Sequence, residues 1–239
     1  MIPKTIHYVW VGGPLPASQE RYIESWRTHN PDYDLVLWNE DTIDFSIDFV
    51  ARAYKERKWA KVADFVRLWA VHRHGGIYLD TDVEVVRPLD PLLQYPCFYG
   101  FQMEEHPTDW VCNAVFGAEK GHWFLAAALE QLQRAPKALL GIERPTQFGP
   151  KLITRLLREE GLAHYSPDGV WVRDVFVLPT EAFYPFTWEE PYDPARITDR
   201  TYAVHLWEKN WQASGSPLTR MAAAAWGLRH RILAPIRGR

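Results

Sequence analysis

A chain of 239 residues, 47% hydrophobic and 24% charged, is long enough to bury one large core or two small ones without staples. Its formal net charge of −3 argues against a nucleic-acid partner, which would leave a basic stripe. No window supplies the roughly 20 apolar residues of a spanning helix, and "MIPKTIHYVW" lacks the basic-then-apolar signature of a leader. The chain therefore reads as cytoplasmic, with Cys97 and Cys112 as two buried thiols of a reducing compartment.

In chain order, "TIHYVWVGG" (5–13) is predicted as a buried strand ending at Gly12-Gly13. "PASQERYIESWRTHNP" follows as a helix with Ser18 as its cap, Ile23 and Trp26 on one face and Pro31 past its end. "YDLVLWNED" is a second strand, and 48–58 has helical composition. A stronger helix covers 59–74, where Val62, Phe65, Val66 and Trp69 form an apolar stripe and Gly75 is a natural C-cap. "IYLDTDVEVV" reads as strand, loop and strand, and "PCFYGF" and "WVCNAVFGA" as further strands. "HWFLAAALEQLQRA" and "PKLITRLLREEG" are helices, and "VWVRDVFVLP" and "TYAVHLW" late strands. The alternation predicts one α/β domain over 1–216 around a mainly parallel sheet. Residues 217–239 are expected as a separate basic amphipathic helix. It carries five arginines, no acidic residue and Trp226, a pattern suited to peripheral contact with an anionic membrane.

The chemistry concentrates in "GGIYLDTDVEVVRPL" (75–89). In extended backbone Asp80 and Asp82 point the same way, and two carboxylates that close repel unless a cation sits between them. Oxygen ligands suit Mg2+ or Mn2+, and a metal held this way at a strand end fits one clamped on a substrate diphosphate. Asp64 and Arg67, three apart on the preceding helix, share one side of it. The 12 tryptophans matter because an indole face packs in cores and also stacks on bases and sugar rings.

Taken whole, "ADFVRLWAVHRHGGIYLDTDVEVVRPLDPLL" resembles the DxD sugar transferases of glycosyltransferase family 32. That family includes bacterial capsule and lipopolysaccharide transferases and a yeast initiating mannosyltransferase, and the large clostridial glucosylating toxins have a related domain. "IPKTIHYVWVGGPLP", "YIESWRTHNPDYDLVLWNED" and "TYAVHLWEKNW" are similar to it in the same order.

The resemblance implies a GT-A fold with the DxD at its donor edge. It implies Asp82 as direct metal ligand, Asp80 sharing the metal and reaching the donor ribose, and His205 completing the shell. Asp64 would orient sugar hydroxyls, and Arg67 would contact sugar or phosphates. Tyr78 would line the donor pocket, Trp10 would stack on the base, and the Val9 backbone would meet the base edge. Trp207, with Trp211, belongs to the late donor motif. Asn210 stands where many members carry Ser. Asn113 and "TQFGP" (146–150) would border sugar and acceptor.

The implied reaction is retaining transfer of a hexose from a nucleotide sugar to a glycan or lipid-linked glycan, in surface polysaccharide synthesis. The "VWVGG" segment favours UDP over GDP. No side chain is an evident nucleophile, so the acceptor hydroxyl is expected to attack from the front face. Two other readings stay open at this point. "YLDTDVE" also fits the short aspartate pattern of haloacid-dehalogenase phosphatases, and a non-catalytic sugar-nucleotide-binding domain would show the same motif.

Overall fold

The computed structural model describes residues 1–134 and 148–208. Strand β1 (Thr5–Val9) enters the core with four of its five residues buried. Helix α1 (Ala17–His29) leads to β2 (Asp34–Trp38), which lies parallel to β1 in a register from Thr5–Asp34 to Val9–Trp38. Ser18 is not the cap expected of it. It sits inside the first turn of α1, exposed, and the N-cap is Pro16, whose carbonyl accepts from Gln19 N at 2.9 Å.

Helices α2 (Asp48–Lys55) and α3 (Trp59–His74) carry the chain back across β1 to β3 (Gly76–Leu79), again parallel to β1. The stripe of α3 is buried as its spacing demands, with Val62, Phe65 and Val66 at 2% exposure or less. Gly75 ends the helix at φ +74°, donating its N–H to Val71 O at 2.7 Å. A Cβ there would stand 2.7 Å from Pro3 Cδ, so both the cap conformation and the close approach require glycine.

The remaining elements are β4 (Val83–Val85), β5 (Cys97–Phe101), β6 (Val111–Ala118), α4 (Trp123–Arg134), α5 (Gly149–Glu159), β7 (Val170–Val172), β8 (Val175–Leu178) and β9 (Ala203–His205). Seven strands form one sheet in the order β2-β1-β3-β6-β5-β8-β7, and β4 and β9 form a separate pair. The β1–β2, β1–β3 and β5–β8 pairings are parallel, while β3–β6, β5–β6 and β7–β8 are antiparallel. The single late strand expected over 170–179 is a tight hairpin. Arg173 turns it at φ +55° and folds one apolar run onto itself.

Each face of the sheet carries its own core. Along β3, Tyr78 points to the side of α2 to α5, and Ile77 and Leu79 to the side of α1, as the strand period requires. On the first side Tyr99 and Phe116 stack with centroids 5.0 Å apart. On the second, Trp26 is fully buried and its indole N–H donates to Val83 O at 2.7 Å. Cys97 and Cys112 are buried free thiols. No helix among the described residues is long and apolar enough to cross a membrane.

The connectivity selects one place on this scaffold. The chain leaves β1 toward β2 on one side and returns to β3 on the other, so the crevice beyond the carboxyl ends of β1 and β3 is a topological switch point. Ligands of open α/β sheets bind at such points.

Candidate active site

The aspartate pair lies at that crevice, but its convergence has a different cause from the one expected. Strand β3 ends at Leu79 and the chain turns, with Val83 N donating to Asp80 O at 3.0 Å. The carboxylates come together because the backbone bends between them, not because an extended strand alternates. The turn is held at both ends. Asp80 N donates to Ala114 O of β6 at 2.8 Å, and Val85 N to Ser25 Oγ of α1 at 2.9 Å.

The β4–β9 ladder then sets His205 opposite Val83. Asp82 Oδ1 and His205 Nε2 stand 3.3 Å apart, with side chains 12% and 9% exposed. One ligand atom each from Asp80, Asp82 and His205 lies within 4.8 Å of the other two. Burial pushes the Asp82 carboxyl up, but the charge and hydrogen bond of His205 carry it below the ordinary carboxylate range. Burial lowers His205, yet Asp82 and then Asp80 raise it above the usual imidazole value.

Beneath the turn sits Arg67, with 8% of its side chain exposed. Its Nη1 donates to Asp80 Oδ2 at 3.2 Å and to Asn113 O at 2.9 Å, and its Nε to Ala63 O at 3.2 Å. Nη2 stands 3.6 Å from Asp64 Oδ1, and the guanidinium lies 4.8 Å from the Tyr78 ring centre. Direct contact of Arg67 with sugar or phosphate was expected; here Nε and Nη1 donate to the protein, while Nη2 makes no hydrogen bond closer than its 3.6 Å approach to Asp64. Tyr78 also differs from its expected place on the pocket wall. It is 1% exposed and donates its hydroxyl to Asp80 Oδ1 at 2.8 Å. Burial raises the Asp80 carboxyl above its usual value, with Arg67 opposing and Asp82 adding to the rise. Asp64 is raised for the same first reason, again against Arg67.

Asn113 Nδ2 lies 3.4 Å from Asp64 Oδ1. Gly149, at φ +54°, opens α5 directly beside this pair, and a Cβ there would stand 3.8 Å from both Asp64 oxygens. Thr146 and Gln147 of the "TQFGP" segment lie outside the described residues, as do Asn210, Trp211 and the 217–239 tail with its domain boundary.

Val9 ends β1 two residues beyond the last β1–β3 register pair, His7–Tyr78. Trp10 follows, half-buried and in neither core, its indole N–H donating to Gly13 O at 3.0 Å. Trp207 holds a left-handed backbone, φ +57°, a strained state for a bulky side chain. Its ring centre is 4.1 Å from that of His205, and its N–H donates to Phe186 O at 3.0 Å. Tyr184 is a neighbour that sequence reasoning missed. Its ring packs edge-on to His205 at 5.8 Å and its oxygen accepts from Val115 N. Within "AFYPF" nothing in spacing or composition distinguishes it from loop packing.

These residues fit a divalent cation. Three carboxylates gather here, with Arg67 beside Asp64 and Asp80 and the histidine beside Asp82. His205 presents Nε2 to Asp82, and its Nδ1 is buried with no hydrogen-bond partner. Two carboxylates and an imidazole can together hold a divalent metal ion.

Known proteins supply the class. A glycosyltransferase sugar-binding region containing the DXD motif matches residues 16–99, and an alpha 1,4-glycosyltransferase conserved region matches residues 117–225. Both are glycosyltransferase regions, the first of them described by its DXD motif, so the phosphatase pattern is set aside. Within that class the chain resembles family 32.

It is 33% identical over 144 residues to inositol phosphoceramide mannosyltransferase 3 of Schizosaccharomyces pombe, covering 56% of this chain and 38% of that one. Against lactosylceramide 4-alpha-galactosyltransferase of Rattus norvegicus it is 30% identical over 174 residues, covering 69% and 45%. The chain thus spans less than half the length of either. The solved PaToxG glycosyltransferase superposes with a TM-score of 0.53 at 18% identity, over 67% of this chain and 70% of that one. The likeness shows the fold, which is GT-A.

Proposed function

We propose that this chain transfers a hexose, with retention, from a nucleotide sugar to a hydroxyl of a glycan or glycolipid. UDP-sugars are the favoured donors and GDP-sugars the alternative. The observation that carries the reading is the convergence of Asp80, Asp82 and His205 at the switch point of the sheet. A Mn2+ or Mg2+ held by these three would supply Lewis-acid neutralisation of the leaving diphosphate. Asp64 and Asn113, beside Gly149 at the start of α5, orient the hydroxyls of the transferred sugar. Trp10 stacks on the base, and the Val9 backbone meets its edge.

Arg67 and Tyr78 act from below. They fix Asp80 from both of its oxygens, so that its geometry is set before the donor arrives. Trp207 closes one wall beside His205. Two relatives named for ceramide substrates favour a glycolipid acceptor, consistent with a role in surface polysaccharide or glycolipid assembly. The domain reading stays with this function: a catalytic domain to residue 216, and a basic tail that holds it at the inner face of a membrane.

The test is hydrolysis of a panel of UDP- and GDP-sugars. Activity is expected with Mn2+ or Mg2+, lost in EDTA and restored by the metal. Asp82→Asn should keep the melting behaviour of the parent and lose most turnover. Full turnover in EDTA, or a fully active Asp82→Asn, would refute the metal site.

A further inference from the structure

A second feature of the same sheet edge has no part in donor binding. Strand β6 runs antiparallel to β3, so its start at Val111 and the preceding loop lie at the edge that carries the aspartate turn. Helix α5 is pinned across that start, because the buried Thr154 hydroxyl accepts from both Trp110 N at 3.0 Å and Val111 N at 2.9 Å. The helix therefore begins at Asp64 and Asn113 and runs out along the loop. Between loop and helix lies a groove of about 380 Å³.

The groove is lined on its helix side by Lys151, Arg155 and Arg158, at i, i+4 and i+7, which puts three cations on one face. Thr108 faces them from the loop. Arg158 is pre-set. Its guanidinium lies 4.8 Å from the Trp110 ring centre, and Nη2 donates to His106 O at 3.1 Å. The acidic neighbours are Glu159, 3.0 Å from Arg155, and Asp109, 3.8 Å from Lys151. Pairs this exposed are weak and yield to a ligand oxyanion. In a chain of net charge −3, a groove with three basic residues and one acidic residue on its walls is a local reversal of sign.

We propose that this groove is the subsite for an anionic group on the acceptor, a phosphate ester or a carboxylate. Arg155 lies about 9 Å along the helix axis from Gly149, at 1.5 Å per residue. An acceptor whose hydroxyl enters beside Asp64 thus carries its charged group onto the basic face. Guanidinium forks suit the oxygens of either anion. The proposal rests on the transferase reading, because only that reading makes the ligand an acceptor.

The test is titration calorimetry on the full chain in chelator, which keeps phosphates from binding through a metal at the aspartates. The probes are myo-inositol 1-phosphate and glucuronic acid, with neutral myo-inositol and glucose as controls. Binding of either anion, weakened about tenfold or more by Arg155→Gln/Arg158→Gln, supports the site, and the anion that binds names the source. Because Arg158 also packs on Trp110, Lys151→Gln/Arg155→Gln is the second variant, with a melt to show that each folds. Anion affinity unchanged in both variants, or equal affinity for the neutral controls, overturns the subsite. Nucleotide-sugar hydrolysis with Mn2+ should be the same in parent and variants. Its absence from all of them would end the transferase reading, while the titration would still report on the groove.

Discussion

Replacing Arg67 by Met keeps most of the side-chain volume and removes the charge beneath the aspartate turn. Two carboxylates then lose their fixed counter-charge, Asp80 at 3.2 Å and Asp64 at 3.6 Å, and Asn113 O loses a buried donor at 2.9 Å. Breaking a buried pair by removing one partner costs about 3–5 kcal/mol. Asp80 keeps 26% of its side chain exposed and water screens part of the loss, so the lower end, about 3 kcal/mol, is expected. At about 2–4 °C per kcal/mol for a chain of this size, the melting temperature should fall by roughly 6–12 °C.

The assay is urea denaturation in chelator of the parent, Arg67→Met, Asp80→Asn and the double variant. The double variant should be less destabilised than the sum of the singles, by about 1–2 kcal/mol, because Asp80→Asn removes the charge that Arg67→Met strands. Arg67→Lys should fall between, since an ammonium cannot reach Asp80, Asn113 O and Ala63 O together. A loss under about 1 kcal/mol for Arg67→Met, or strict additivity in the cycle, would refute the assignment of Arg67 as the counter-charge that holds the turn.

Trp10→Ala should weaken donor binding by more than it lowers stability, because Trp10 belongs to neither core; unchanged donor affinity with a collapsed melting temperature would make it a packing residue. His7 should stay neutral well below the usual imidazole range. Burial lowers its pKa to about 4, its Nδ1 accepts from Trp38 Nε1 at 3.2 Å, and Nε2 lies 2.9 Å from Gly75 O, so a second ring proton would face a donor. The folded pKa lies below the unfolded value, so the unfolded chain takes the proton first. Stability from this residue is complete above about pH 7 and falls between about 6.5 and 4, by roughly 1.8 kcal/mol from pH 7 to 5. A nitrogen NMR titration of His7 checks it, and a midpoint near 6.5 would contradict it.

The sequence by itself determined what depends on near neighbours. Helix α3 was legible because its apolar stripe repeats at the helical period and a glycine follows it. The break of "IYLDTDVEVV" into strand, turn and strand was legible from the polar pair between apolar runs. The aspartates, Asp64 and Arg67 were recognisable through the family resemblance, whose motif lies within one local stretch of sequence.

What only the tertiary structure decided depends on partners far along the chain. The family resemblance had named His205, but its reach to Asp82 comes through the β4–β9 ladder, which joins segments more than a hundred residues apart. Nothing within either segment encodes that register. Burial moved Tyr78 from the expected pocket wall to the support beneath Asp80, and set Arg67 beside it. A side chain's depth is set by which elements cover it, here β3, β6 and α3, rather than by its own neighbours in sequence. The basic face of α5 was present as a helical pattern, but its meaning came from Thr154 anchoring the helix across β6. Local periodicity specifies elements because backbone geometry is local. The site needed the sheet order, because electrostatic and hydrogen-bond partners are chosen by proximity in space.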